Sequence, residues 1–242
     1  MFDILIRYQA SLFVNIQELN PAPDTVSKMM LLFRDENFIP STFQEISQSG
    51  VQTRIRFSSL NNEWAINFGT DRISIEKNPT DIKGKNLGKI EDFTEYACKL
   101  LGRTLSEINK KGNRISLVTT GLLNEMPPER LNKIYVKLFN PIPFYSKNHP
   151  FEWKNRSVAK KGIEIDGSNE TLNVITEINR VRGKMMQPPF MDFDRIEIGF
   201  DINTIAENSE SRFNIDLMNK VYENIIIIRD DILGAISKCL ST

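Results

Sequence analysis

The chain has 242 residues, with 31 Lys+Arg balanced by 31 Asp+Glu. That length supports a sizeable core without a disulfide or metal staple. The zero net charge excludes whole-molecule attraction to nucleic acid or anionic lipid as a driving force. With one histidine, two cysteines and no glycine-rich phosphate loop, the chain lacks most constellations used for acid/base, nucleophilic or metal chemistry.

Residues 3–19 read as strand, with Ile4, Ile6 and Tyr8 alternating before Leu12, Val14 and Ile16. Pro21 and Pro23 break it, and Asp24 or Thr25 caps a helix whose apolar face is Val26, Met29, Met30 and Phe33. Ile39-Pro40 restarts extended chain. Three strand segments follow: Phe43 to Ser47, Val51 to Ser58, and a stretch from Trp64 to Ile75 that passes Gly69. A polar loop, Asn78 to Lys89, leads into a helix over 90–109 with Phe93, Ala97, Leu100, Leu101, Leu105 and Ile108 on one face.

The order then starts again. Ile115, Leu117 and Thr119 read as strand, and Pro127-Pro128 opens a helix with Leu131, Ile134, Tyr135 and Leu138 inward. A proline-rich loop spans 140–150. Extended segments follow at about 151–165, 170–184 and 194–206. A long helix over 214–240 carries Leu217, Val221, Ile225, Ile228, Ile232 and Ile236.

The fold class expected is α+β: two similar β-α-β-β-β-α units with mostly antiparallel sheets and a long C-terminal helix. The units are residues 1–110 and 111–242. Leu19-Asn20-x-x-Pro23 matches Leu123-Asn124-x-x-Pro127, and Ile39-Pro40 matches Ile142-Pro143, which suggests an internal duplication.

Four features are candidate sites. In the loop before the first long helix, Lys83, Lys85 and Lys89 stand with Gly84 and Gly88 as a candidate phosphate loop, although the spacing is not that of a Walker motif. Between 130 and 161, Arg130, Lys133, Lys137, Lys147, Lys154, Arg156, Lys160 and Lys161 face only Glu152, with Phe144, Tyr145, Phe151 and Trp153 interleaved. Lys147, Trp153, Lys154, Arg156, Lys160 and Lys161 are the residues a nucleic-acid-binding reading would use, by phosphate contact and base stacking. From 185 onward acids dominate, so the alternative is that the two segments neutralise one another. Asp192 and Asp194 share a strand face, with Glu197 and Asp201 nearby, and are the only candidates for a shared Mg²⁺; no third ligand has a suitable spacing. His149 lies in a turn, Asn148-His149-Pro150, with no evident partner. Finally, the closing helix is longer than one small sheet needs, so part of its stripe is available to another chain.

Cys98 and Cys239 are far apart and fit a reducing compartment as small hydrophobes. Asp3 and Arg7 interrupt the N-terminal apolar run, which is unlike a signal peptide. No stretch approaches the roughly 18 apolar residues of a membrane span. These features predict a cytoplasmic protein without a membrane anchor, metal or cofactor.

The pattern Arg54-Ile-Arg-Phe, Glu63-Trp-Ala-Ile-Asn-Phe-Gly and Asp71-Arg-Ile-Ser-Ile, with a closing helix of the Asp216 to Ile236 kind, resembles a sporadically distributed, uncharacterised bacterial protein family of about this length. The resemblance implies an accessory protein of mobile-element or defence loci and brings no catalytic residues. The function expected is a non-catalytic interaction subunit, with a protein partner or a second copy. The alternative is nucleic-acid binding through 130–161, and a metal-dependent hydrolase at Asp192 and Asp194 ranks last.

Overall fold

A computed structural model describes residues 2–47, 50–184 and 192–241. Among these, nine strands form one antiparallel sheet in the order β2-β3-β4-β5-β1-β6-β9-β8-β7. The strands are β1 (Ile4–Phe13), β2 (Ile39–Ser47), β3 (Gly50–Ser58), β4 (Trp64–Phe68), β5 (Arg72–Lys77), β6 (Arg114–Leu122), β7 (Trp153–Ile165), β8 (Ser168–Lys184) and β9 (Asp192–Thr204). The helices are α1 (Pro23–Leu32), α2 (Ile90–Ile108), α3 (Pro128–Phe139), α4 (Pro143–Lys147) and α5 (Ile215–Ser241).

The chain is α+β, but the expected sheets are one. β1 and β6, the first strands of the two halves, pair along nearly their whole length, from Ile4↔Leu122 to Phe13↔Arg114. This pairing satisfies both strands' backbone groups and removes two exposed edges. From that pair outward the order is β5-β4-β3-β2 on one side and β9-β8-β7 on the other. The first half therefore has four strands after its helix rather than three. The chain from Trp64 to Ile75 bends at Gly69, whose N–H bonds the Arg72 carbonyl at 2.9 Å, and splits into β4 and β5.

Other boundaries differ for local reasons. β1 ends at Phe13, and the extended chain beyond it is held by single bonds from the Val14 and Ile16 amides to the Asp71 and Thr70 carbonyls. Pro23 opens α1 rather than merely ending the preceding strand, because its missing N–H is not needed there. Pro40 lies inside β2, which is tolerated because β2 is an edge strand. The loop at 140–150 contains the short helix α4. Asp166 and Gly167, both at positive φ, make the two-residue turn that joins β7 to β8.

One register step divides the sheet's two faces. Pro40, Phe57, Ile66, Ile75, Ala10, Leu117, Ile202, Val174 and Ala159 are paired in a single row across all nine strands. The seven inner members are buried. On this apolar face Phe33, just after α1, meets Phe57 at 5.6 Å, and α2 stacks Phe93 against Trp64 at 5.7 Å. α5 places the Tyr222 hydroxyl 3.3 Å from the Ser11 and Ser116 carbonyl oxygens, beneath the central strand pair. α3 sets Tyr135 beside Trp153 at 6.2 Å. Fully burying each such side chain contributes about 1.5–3 kcal/mol.

The α5 stripe packs mainly within its own chain. Met218, Val221, Tyr222 and Ile225 join the core shared with α2, while Ile236 and Leu240 reach the smaller cluster around α3. No described helix is long and apolar enough to cross a membrane.

Candidate interaction surfaces

The opposite face of the sheet carries none of the helix packing just described. One residue along from the apolar row, Ser41, Arg56, Asn67, Ser74, Ser11, Ser116, Asn203, Asn173 and Lys160 are paired across all nine strands. Side chains directly opposite one another on paired strands share a face. The row is therefore a continuous polar stripe, about 38 Å long at about 4.8 Å per strand, with no carboxylate and no apolar residue in it.

The middle of the stripe is a hydrogen-bonded network. Gln9 Nε2 donates to Ser11 Oγ at 3.0 Å, and the Ser11 and Ser74 hydroxyls lie 2.9 Å apart. Arg114 Nη2 donates to Asn203 Oδ1 at 3.0 Å, and Asn203 Nδ2 donates to Asp201 Oδ1 at 3.0 Å. Ser11 is 1% exposed although no helix covers it. Several polar atoms here have no protein partner: Gln9 Oε1, Arg7 Nε and Arg114 Nε are buried without one, as is Asn179 Oδ1 on the same face. Whichever way the Gln9 amide is turned, one of its polar atoms faces Ser11 and the other is left over.

Arginines flank the stripe. Arg72, Phe13 and Arg114 form a cross-strand row beside it, with the Arg114 guanidinium 4.4 Å from the Phe13 ring centre. Nearby acids are engaged: Glu76 by Arg7 at 3.2 Å, Glu197 by Asn179 at 3.1 Å, and Glu177 by Lys154 and Arg156 at 2.6 and 3.2 Å.

The basic segment 130–161 does not gather on one face. Lys154, Arg156 and Lys160 point to the helix-free face of β7, whereas Lys161 and Trp153 point to the other. Trp153 is buried, packed edge-on against Phe139 at 5.4 Å, so it offers no ring for base stacking. Lys160 pairs with Glu207 at 3.1 Å, and Lys147 lies exposed on α4. Arg130 and Lys137 donate to the Leu240 and Cys239 carbonyls, at 3.4 and 2.6 Å, and so complement the negative C-terminal end of α5.

The candidate phosphate loop is also occupied by internal contacts. Lys83 Nζ holds both carboxylate oxygens of Asp3, at 2.8 and 2.9 Å. Lys85 and Lys89 are exposed, but Glu91 and Asp92 occupy the first turn of α2, where they oppose an anion. Asp3 also accepts from Arg195 Nη1 at 2.7 Å, and these cations, Lys83 foremost, hold its carboxyl below the usual range.

Asp194 is taken by Arg180, whose Nε and Nη2 donate to its two oxygens at 2.9 and 2.8 Å. The two strand-face aspartates therefore do not form an open cation site. Among the described residues no three His, Cys, Asp or Glu side chains are grouped to hold a metal. His149 is exposed. Cys98 is buried, and desolvation pushes its thiol up to about 12.

A second surface escapes the sequence pattern because it depends on exposure. In segment 142–151, Ile142 is 63% exposed, Phe144 62% and Phe151 64%. The segment is ordered by Ser146 Oγ donating to the Pro141 carbonyl at 3.1 Å, and by the Pro150 carbonyl accepting from Arg180 at 3.1 Å. Beside Phe151 is a shallow pocket of about 470 Å³ lined by Arg182, Asp192, Phe193 and Asp194. No protein-family model matches the chain, and no curated protein is significantly similar to it.

Proposed function

We propose that this chain is a non-catalytic interaction subunit that docks a protein partner through segment 142–151. The observation that carries the reading is the exposure of Ile142, Phe144 and Phe151 on one ordered segment, whose last residue, Phe151, lines a pocket. Several exposed apolar side chains on one short segment, with polar groups beside them, are a feature of protein–protein contacts. Lys147 and Arg182 at the margin favour a partner with a carboxylate rim around its apolar contact.

The test compares the native mass of wild-type protein, in lysate and purified, with that of a Phe144→Ser, Phe151→Ser double variant. Wild type is expected in a larger species with a stoichiometric partner. The variant is expected as a free monomer with an unchanged melting temperature, because neither ring is buried. A wild-type chain that is a partnerless monomer in both preparations overturns the reading.

We also read the two halves as an internal duplication. Support comes from the matched outward orders, β1-β5-β4-β3-β2 and β6-β9-β8-β7, each closed by a long helix. Superposing the halves should pair β1 with β6, β5 with β9 and α2 with α5; a failure of those pairs to coincide removes the duplication.

A further inference from the structure

We propose that the helix-free face binds single-stranded nucleic acid, laid across the strands along the Ser41–Lys160 stripe. This surface is separate from segment 142–151 and does not depend on it. Its side-chain chemistry is the main argument. All nine positions are Ser, Asn, Arg or Lys, the residue types that contact phosphate and sugar oxygens; Ser74, Ser11, Ser116 and Asn203 at the centre are buried, so direct contact falls to Ser41, Arg56, Asn67, Asn173 and Lys160 and to the flanking arginines. A protein-docking surface of this length needs an apolar centre, and the stripe has none.

The charge distribution points the same way. Arg56 lies in the stripe, and Arg72 and Arg114 flank it. Arg56 Nε donates only to the Ser58 hydroxyl at 3.1 Å, and Arg114 only to the Asn203 amide oxygen; neither donor set meets a carboxylate. On the same face Glu76, Glu177 and Glu197 are bound to neighbours, Asp201 accepts from Asn203 and Glu45 accepts from Thr70. The Arg56, Arg72 and Arg114 guanidiniums beside a floor of hydroxyls and amides suit a chain of phosphates. Gln9 is nine-tenths buried, with an amide atom left without a partner beside Ser11. The Arg114 plane on Phe13 is placed as a platform on which a base can stack.

The test measures binding of fluorescent 20-nucleotide single strands, DNA and RNA, to the full chain by anisotropy across a salt series. Wild type is expected to bind at low salt and to weaken as salt rises, with a log–log slope of about 0.7 for each phosphate contacted. Arg56→Glu with Arg72→Glu should weaken binding at least tenfold and flatten that slope. Lys147→Glu with Lys161→Glu, away from the stripe, should leave it unchanged. No binding at low salt overturns the proposal. So does binding that survives the Arg56/Arg72 variant, binding lost equally in the Lys147/Lys161 variant, or equal displacement by poly-glutamate, which would mean an acidic protein ligand. Melting curves of both variants establish that the fold is intact; if the Arg56/Arg72 variant unfolds, Arg72→Gln alone, which removes an exposed charge, should still flatten the slope, and an unchanged slope overturns the proposal.

Discussion

Arg180 grips Asp194 with two parallel hydrogen bonds, from Nε and Nη2, at 2.9 and 2.8 Å. The guanidinium is 6% exposed and the carboxylate 27%, and Nη1 of the same arginine reaches Asn132 and the Pro150 carbonyl at 3.2 and 3.1 Å. One side chain therefore joins β8, β9, α3 and the end of segment 142–151. Asp194→Asn leaves a buried cation without its counter-ion, and should cost about 3 kcal/mol. Chemical denaturation of wild type and variant reads this as a shift in midpoint at constant m-value.

Acid should weaken the fold through the same pair. Arg180 holds the Asp194 carboxyl below its ordinary value of 3.8, and Lys83 with Arg195 does the same for Asp3. A group whose folded pKa is lowered contributes stability above its unfolded pKa, and loses it as pH falls through the folded one. Melting temperature should therefore hold down to about pH 4 and fall below it. In Asp194→Asn the fall should be shallower. An equally steep fall in that variant would show that Asp194 is not one of the groups responsible.

Gly84 should tolerate no side chain. Its φ is +64°, and a Cβ there would stand 2.0 Å from the Leu5 carbonyl oxygen. The left-handed conformation alone costs an L-residue about 1–2 kcal/mol, and the overlap with backbone adds to it. Gly84→Ala is expected to lower the melting temperature by more than Gly162→Ala, since the space around Gly162 is open.

Cys98 should be silent to thiol reagents in the native state. Burial raises its pKa to about 12, and the thiolate is the reactive form. A colourimetric thiol titration at pH 8 should label Cys98 only after unfolding. Rapid labelling of Cys98 in the native protein would mean that α2 opens from the sheet.

The long helices were legible because their periodicity lies in consecutive residues. Phe93, Ala97, Leu101 and Leu105 of α2 all face the core as their spacing requires. The strands were legible as alternation, yet Trp64 to Ile75 read as one segment although Gly69-Thr70-Asp71 interrupts the alternation and shifts it by one residue, from Trp64, Ile66 and Phe68 to Ile73 and Ile75. The basic segment divides between faces because charge along the chain does not report direction. β7 sends Lys160 and Lys161 to opposite faces, and Arg130 and Lys137 serve the far end of α5.

Local sequence determined that this protein alternates strands and helices and has an evenly charged composition, because residue spacing along one segment sets which side of that segment is apolar. It also placed a polar residue at Arg56, Asn67, Ser74, Ser11 and Ser116, each in its own strand. That these stand in a single row was decided only by tertiary structure. Strand order and register bring together positions as distant as Ser11 and Ser116, and a shift of one residue in any pairing would have turned that strand's apolar side to water.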